Sequence, residues 1–196
     1  MQPNPVVSAF DNQPLVFVKD RKYLINPLTD HEPTTSFELL DATVKALSKL
    51  TDFSKANKIL GEEDRGGFIA ALVAYHHKMS FGMTKWDPVG MEGEQSVDFR
   101  CAYAEGVMYI HGIEKGDRVI LVEDMVDSGG TIVAMIKLLE KMDVELVDII
   151  VIAEKEDFQG IARIKKETGR DVKCLLKFSV KEADRSKVTW VSDILK

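Results

Sequence analysis

The sequence predicts an α/β domain built on a central parallel sheet with helices on both faces. Three observations carry this. From residue 118 onward, β-rich runs alternate with helical runs. The central runs, "RVILV" (118–122) and "VDIIVIA" (147–153), are apolar at nearly every position, as strands covered on both faces must be. The stretch "VILVEDMVDSGGT" (119–131) then carries an apolar strand into two adjacent acids and a Gly-rich turn before a helix. In such sheets ligands sit at the carboxyl ends of the strands.

Bulk properties narrow the class. A chain of 196 residues fits a single domain, 1–196. Hydrophobic content of 45% is enough for a real core. A net charge of −6 argues against nucleic-acid or membrane-surface binding, which show as a basic excess. Two cysteines, Cys101 and Cys174, make no disulfide framework, so a reducing cytoplasm is the expected setting. No apolar run approaches the roughly 20 residues that span a bilayer. The opening "MQPNPVVSAFDNQP" lacks the basic-then-apolar layout of a signal peptide.

The elements follow in order. Residues 1–14 hold three of the six prolines and read as an irregular arm. "LVFVKDRKYLINP" is a hairpin candidate, two β-rich runs around a polar centre. "TSFELLDATVKALSKL" reads as a helix, with Thr35 and Glu38 at capping-box spacing and Phe37, Leu40, Val44 and Leu47 on the helical period. "KANKILG" is a strand, "GGFIAALVAYHHK" an apolar helix, and "MSFGMTK" a short strand. Residues 87–106 are broken by Pro88, Gly90, Gly93 and Gly106 and read as one long mobile loop. After "RVILV" come the helix "GTIVAMIKLLEKM", the strand "VDIIVIA", the helix "FQGIARIKKETG" closed by Gly169, and a last strand "VKCLLKFSV".

The turn after the acids has a chemical logic. Gly129 and Gly130 let successive backbone N–H groups point inward as an anion nest, and the next helix adds its positive end. Ser128 and Thr131 can donate hydroxyls. Glu123 and Asp124 would repel a phosphate, so they address something else: sugar hydroxyls or a divalent cation. A ribose 5-phosphate carrying a leaving group at its anomeric carbon offers all three features. Paired acids after an apolar strand also bind magnesium in receiver domains, and a lone Gly-Gly is also an ordinary tight turn.

"VILVEDMVDSGGT" resembles the phosphoribosyl-pyrophosphate (PRPP) signature of type I phosphoribosyltransferases. "LGEEDRGGFIAALVA" is similar to the pyrophosphate-loop segment of purine members, with Glu63-Asp64-Arg65-Gly66 in place of Glu-Ala-Arg-Gly. "KYLINPLTDHEP", "YAEGVMYIHGIEKGDRVILVED" and "IAEKEDFQG" resemble the archaeal hypoxanthine/guanine branch and the base-side loop of 6-oxopurine enzymes. Together these cover most of residues 22–180.

The resemblance implies the type I phosphoribosyltransferase fold, with a small hood formed by residues of about 1–35 and 153–196. It implies a purine-salvage enzyme that displaces pyrophosphate from PRPP with a free purine base, works with Mg²⁺ and forms a homodimer. Glu123 and Asp124 would meet the ribose hydroxyls, directly or through the metal. Asp127, Ser128, Gly129, Gly130 and Thr131 would hold the 5-phosphate. Asp64, Arg65 and Gly66 would cradle pyrophosphate, with Lys85 approaching from the next strand. Asp127 would also exchange a proton with the purine, a catalytic role compatible with a helix N-cap. Lys155 would face an oxygen at C6, and Phe158 would stack on the base.

Two features bear on the base. Asp127 stands where adenine enzymes usually carry a small apolar residue. On an alignment anchored at "IHG" the adenine-type glutamate falls on Ala102. Both favour hypoxanthine or guanine over adenine; orotate is the pyrimidine alternative on the same scaffold. Two features depart from the family pattern: "MTKWDPVGMEGEQ" turns acidic after Lys85, and Asp64 sets a carboxylate in the pyrophosphate loop. A regulator that binds PRPP or a purine with weak catalysis is the other class. Such regulators usually add a DNA-binding segment, and residues 1–20 are too short and Pro-rich for a helix-turn-helix.

Overall fold

The computed structural model describes residues 4–18, 21–100, 105–181 and 184–196. Cys101 and Ala102 lie outside the described residues. The order is α1 (Pro5–Ser8), β1 (Leu15–Val18), β2 (Arg21–Leu24), α2 (Phe37–Leu47), β3 (Lys58–Glu62), α3 (Arg65–His77) and β4 (Ser80–Lys85). Then come β5 (Gln95–Arg100), β6 (Glu105–His111), β7 (Arg118–Val126), α4 (Gly130–Lys141), β8 (Glu145–Lys155), α5 (Gly160–Thr168), β9 (Lys173–Ser179) and β10 (Lys187–Val191).

Eight strands form one sheet in the order β10-β9-β8-β7-β3-β4-β6-β5. The central five, β9 to β4, are mutually parallel. Antiparallel β6 and β5 extend one edge and antiparallel β10 the other. From β3 the chain winds through α3 to β4 on one side; from β7 it winds through α4 and α5 to β8 and β9 on the other. The sequence direction therefore reverses between β3 and β7, and the crevice at their carboxyl ends is the topological switch point where doubly wound sheets bind ligands.

Two cores explain why the central strands are apolar throughout. Ile59, Ile120, Val122, Ile150 and Ile152 join α1, α2 and α3 on one face. Leu60, Val119, Leu121, Ile149 and Val151 join α4, α5 and the β5–β6 hairpin on the other. Alternate residues of each strand serve opposite layers. The terminal segments meet beside this sheet. Asn4 donates to the Leu195 carbonyl (3.0 Å), and the Leu15 N–H donates to the Asp184 carbonyl (2.9 Å). The β1–β2 hairpin forms as expected from its two β-rich runs, paired Leu15 to Leu24.

Five local expectations are corrected. The arm at 1–14 contains a helical turn, α1, with Asn4 capping it and Pro at its start, where a missing N–H costs nothing. The cap of α2 is Ser36, whose hydroxyl accepts from the Leu39 N–H (3.2 Å); the Thr35 hydroxyl is taken by the Pro27 carbonyl and His31. Phe37 is exposed, and Leu39 takes the buried position. Much of 87–106 is sheet: β5 and β6 pair from Gln95–Ile110 to Arg100–Glu105, pinned by buried Phe99, Met108 and Ile110. The last strand is β10, an edge strand after "VKCLLKFSV".

Candidate active site

The site begins with β7, which does not end at Val122. It runs to Val126 and carries Glu123 and Asp124 within it, both buried. The Glu123 carboxylate accepts the Glu62 N–H across the gap between β7 and β3 (2.9 Å). That contact needs Gly66 at the start of α3, because any side chain there would overlap the Glu123 carboxylate. Glu123 therefore faces β3 and the pyrophosphate-type loop rather than open solvent.

The β3 end adds more negative charge. Glu62 is buried, and among the described residues its Oε1 has no hydrogen-bond partner. Burial, then the charges of Asp124 and Asp64, push its carboxyl up to about 8. Burial and then Glu62 hold Glu123 well above the carboxylate range. Burial lifts Asp124 to about 6, against the pull of the Arg65 guanidinium. Asp64 sits at φ 104°, a backbone region that side-chain-bearing residues rarely enter, and it makes no capping bond to α3. Arg65 is ion-paired to Asp30 of the N-terminal segment (2.7 Å). Asp30 is itself held by Asn26 and Thr29.

The Gly-rich loop lies between β7 and α4. Gly129 takes a left-handed conformation (φ 75°), and α4 begins at Gly130. Among the described residues the buried Ser128 hydroxyl has no hydrogen-bond partner, and neither has Asp127 Oδ1. Buried polar atoms of this kind are normally satisfied by a bound group or water. Across the loop stands Lys155, at the end of β8. Its ammonium is buried, donates to the Lys22 carbonyl (2.9 Å), lies 3.7 Å from Asp127 Oδ2, and sits 4.7 Å from the centre of the Phe158 ring. Burial lowers the Lys155 pKa and raises that of Asp127; each opposes the shift of the other.

One cleft collects Asp64, Arg65, Glu123, Asp124, Asp127, Ser128, Gly129, Gly130, Thr131 and Lys155. Of the other expected residues, Gly66 lies beneath Glu123. Phe158 is half exposed beside Lys155. Lys85, at the end of β4, is not in the lining. Trp86 packs edge-on against Phe99 (4.4 Å), and its N–H donates to Glu63 (2.9 Å), which makes it a packing residue here. The sequence reading missed Tyr23 and Glu62, both in the cleft wall, and Asp30 behind Arg65. Glu62 had a faint signal as the first of three acids after an apolar strand; Tyr23 and Asp30 had none beyond their place in a resembling segment.

The donor set suits a hard divalent cation: several buried carboxylates against one guanidinium. Among the described residues no three His, Cys, Asp or Glu side chains already stand in ligating geometry. A cation here would need oxygens from its co-ligand.

Comparison with known proteins decides the lineage. The phosphoribosyl transferase domain model matches residues 92–180. A hypoxanthine/guanine phosphoribosyltransferase of Methanobacterium lacus (strain AL-21) is 34% identical over 167 residues, 85% of this chain and 86% of the relative. The chain belongs to the phosphoribosyltransferase family. A second relative of the same description, from Methanococcus voltae, is 32% identical over 175 residues, covering 89% and 91% of the two chains. The phosphoribosyltransferase fold also recurs in solved structures. Adenine phosphoribosyltransferase of Thermoanaerobacter pseudethanolicus aligns with TM-score 0.74 and 24% identity over 88% of this chain and 98% of its own. The enzyme of Giardia lamblia, complexed with 9-deazaadenine, gives 0.75 and 20% over 88% and 95%. No helix among the described residues is long and apolar enough to cross a membrane.

Proposed function

We propose that this phosphoribosyltransferase moves the 5-phosphoribosyl group from PRPP to a free 6-oxopurine, hypoxanthine or guanine, and releases pyrophosphate. The observation that carries the reading is the meeting, in one cleft, of an anion loop (127–131), an acid pair (Glu123, Asp124), a guanidinium (Arg65) and a buried Lys155–Asp127 pair. The archaeal relatives' description as hypoxanthine/guanine enzymes supports the choice of base.

The 5-phosphate is assigned to the loop amides and the Ser128 and Thr131 hydroxyls. Pyrophosphate is assigned to Arg65 and the backbone of 64–66, the ribose hydroxyls to Glu123 and Asp124. The bond from the anomeric carbon to pyrophosphate breaks as the bond to a purine nitrogen forms. The transition state gathers positive charge on the sugar, which an ionised Asp124 would stabilise, and negative charge on the leaving group, which Arg65 receives. Mg²⁺, the usual companion of PRPP in this family, would be held by Glu123 and Asp124 together with substrate oxygens and would neutralise the departing pyrophosphate. Lys155 donates to the purine C6 oxygen; an exocyclic amine would leave the N–H aimed at that position unpaired. Asp127, whose carboxyl pKa is raised by burial, takes the proton the base gives up.

The test is pyrophosphate release from PRPP and Mg²⁺ with a panel of bases. Hypoxanthine and guanine should support turnover and adenine should not. Release with adenine alone would reverse the base assignment. Tight PRPP binding with no release for any base would move the chain to the regulators.

A further inference from the structure

We propose that Arg163, on α5 outside the cleft, is a positioning residue for the phosphate loop; this rests on the 5-phosphate assignment above. The loop is not self-supporting. Its back lies directly on the start of α5. A side chain on Gly160 would overlap the Asp127 carbonyl and come within 2.9 Å of the Gly129 nitrogen. A side chain on Gly129 would in turn lie 2.7 Å from the Gly160 carbonyl and 3.0 Å from Ile164. Two backbones meet here with nothing between them.

Arg163 adds a directional bond to that contact. Its Nη1 donates to the Ser128 carbonyl (3.2 Å), while its Nε donates to Glu167 one turn along α5 (2.7 Å). In a planar trans peptide the C=O and the following N–H point in opposite directions. Holding the Ser128 carbonyl outward on Arg163 therefore turns the Gly129 N–H away from α5, toward the cleft that both residues line. The start of α5 is anchored in its turn: the Ile161 N–H donates to buried Glu154 (3.0 Å), which is ion-paired to Lys177 of β9 (2.8 Å). The brace thus runs from the sheet through α5 to the amides that meet the phosphate.

The experiment is calorimetric titration of ribose 5-phosphate into the wild-type protein, Arg163→Met and Arg163→Lys, with melting temperatures of each unliganded protein. Arg163→Met should raise the Kd about tenfold, the scale of one hydrogen bond to a charged group. Arg163→Lys, which keeps the charge and one donor, should recover most of that loss. The melting temperature should stay within about 2 °C, as for an ordinary surface change. In turnover assays the KM for PRPP should rise while the KM for the purine does not. Wild-type affinity in Arg163→Met would overturn the brace and leave the phosphate assignment intact. A large fall in melting temperature alongside the loss would overturn positioning in favour of a role in folding. Failure of the wild-type protein to bind ribose 5-phosphate would overturn both.

Discussion

Replacing Glu62 with Gln should make the unliganded protein more stable at pH 8 and leave it nearly unchanged at pH 5. The carboxyl is buried beside Asp124 and Asp64, which lifts it from 4.5 to about 8 in the folded protein. The sign follows from linkage. Below pH 4.5 both states hold the proton and the group contributes nothing to the pH dependence. As pH rises toward 8 the unfolded chain releases its proton while the folded chain keeps it, so stability falls with pH. Integrated from pH 5 to pH 8, the difference is about 3 kcal/mol. For a chain of this length that corresponds to about 6–12 °C in melting temperature. Glutamine keeps the shape and cannot charge, so the variant's melting curve should be flatter by that amount. The assay is thermal denaturation followed by circular dichroism at pH 5, 6, 7 and 8, at fixed ionic strength without ligand or metal. Glu123 and Asp124 remain in both proteins, so the difference between the two curves isolates Glu62 and its influence on Glu123. Parallel curves would refute the reasoning, because they would mean that Glu62 carries no forced proton in the folded state.

Gly66→Ala should displace the Glu123 carboxylate it would overlap, lower stability by about 1–3 kcal/mol and weaken PRPP binding; a variant with wild-type stability and PRPP affinity would remove Glu123 from its place under α3. Lys155→Met should cut kcat/KM for hypoxanthine at least about tenfold through the lost donor, with PRPP affinity within about twofold by calorimetry. Equal losses for PRPP and base would show that Lys155 supports the cleft as a whole. Asp127→Asn should bind PRPP and lose turnover about 10²-fold; unchanged turnover would end its proton role.

The proposed phosphate loop could be picked out because it is local. Residues 123 to 131 are contiguous, and a run of strand, acids and glycines has few other chemical uses. What the sequence hid was the depth of the acids. An apolar run meeting Glu123-Asp124 suggests a strand reaching solvent, yet β7 continues past Val122 to Val126 with both acids inside it. The acids are buried because β3 offers the Glu62 N–H to one and Arg65 approaches the other, neither of which can be seen from residues 119–131. The β5–β6 hairpin escaped for a related reason. Its buried residues, Phe99, Met108 and Ile110, are few, and Phe99 stands between Asp98 and Arg100. Only closure of the hairpin against α4 makes that thin pattern a strand pair.

The cationic half of the cleft shows why its partners had to come from structure. Lys155 could be picked out as a donor at the end of a strand, but its own environment comes from elsewhere in the chain: the carbonyl of Lys22, 133 residues away, takes one of its protons. Arg65 likewise is engaged by Asp30, from a segment with no recognisable chemistry of its own. A lone lysine or arginine in a sequence reads as solvated. A carbonyl or a carboxylate from a distant segment fixes its geometry, so that Lys155 becomes a directed donor whose pKa burial lowers, and Arg65 a guanidinium already paired to Asp30, which pyrophosphate would have to share under the proposed assignment. The N-terminal segment therefore supports the cleft through the carbonyl of Lys22 and the carboxylate of Asp30. Changes there should alter the affinities for base and for PRPP separately, since each contact serves a different side of the cleft.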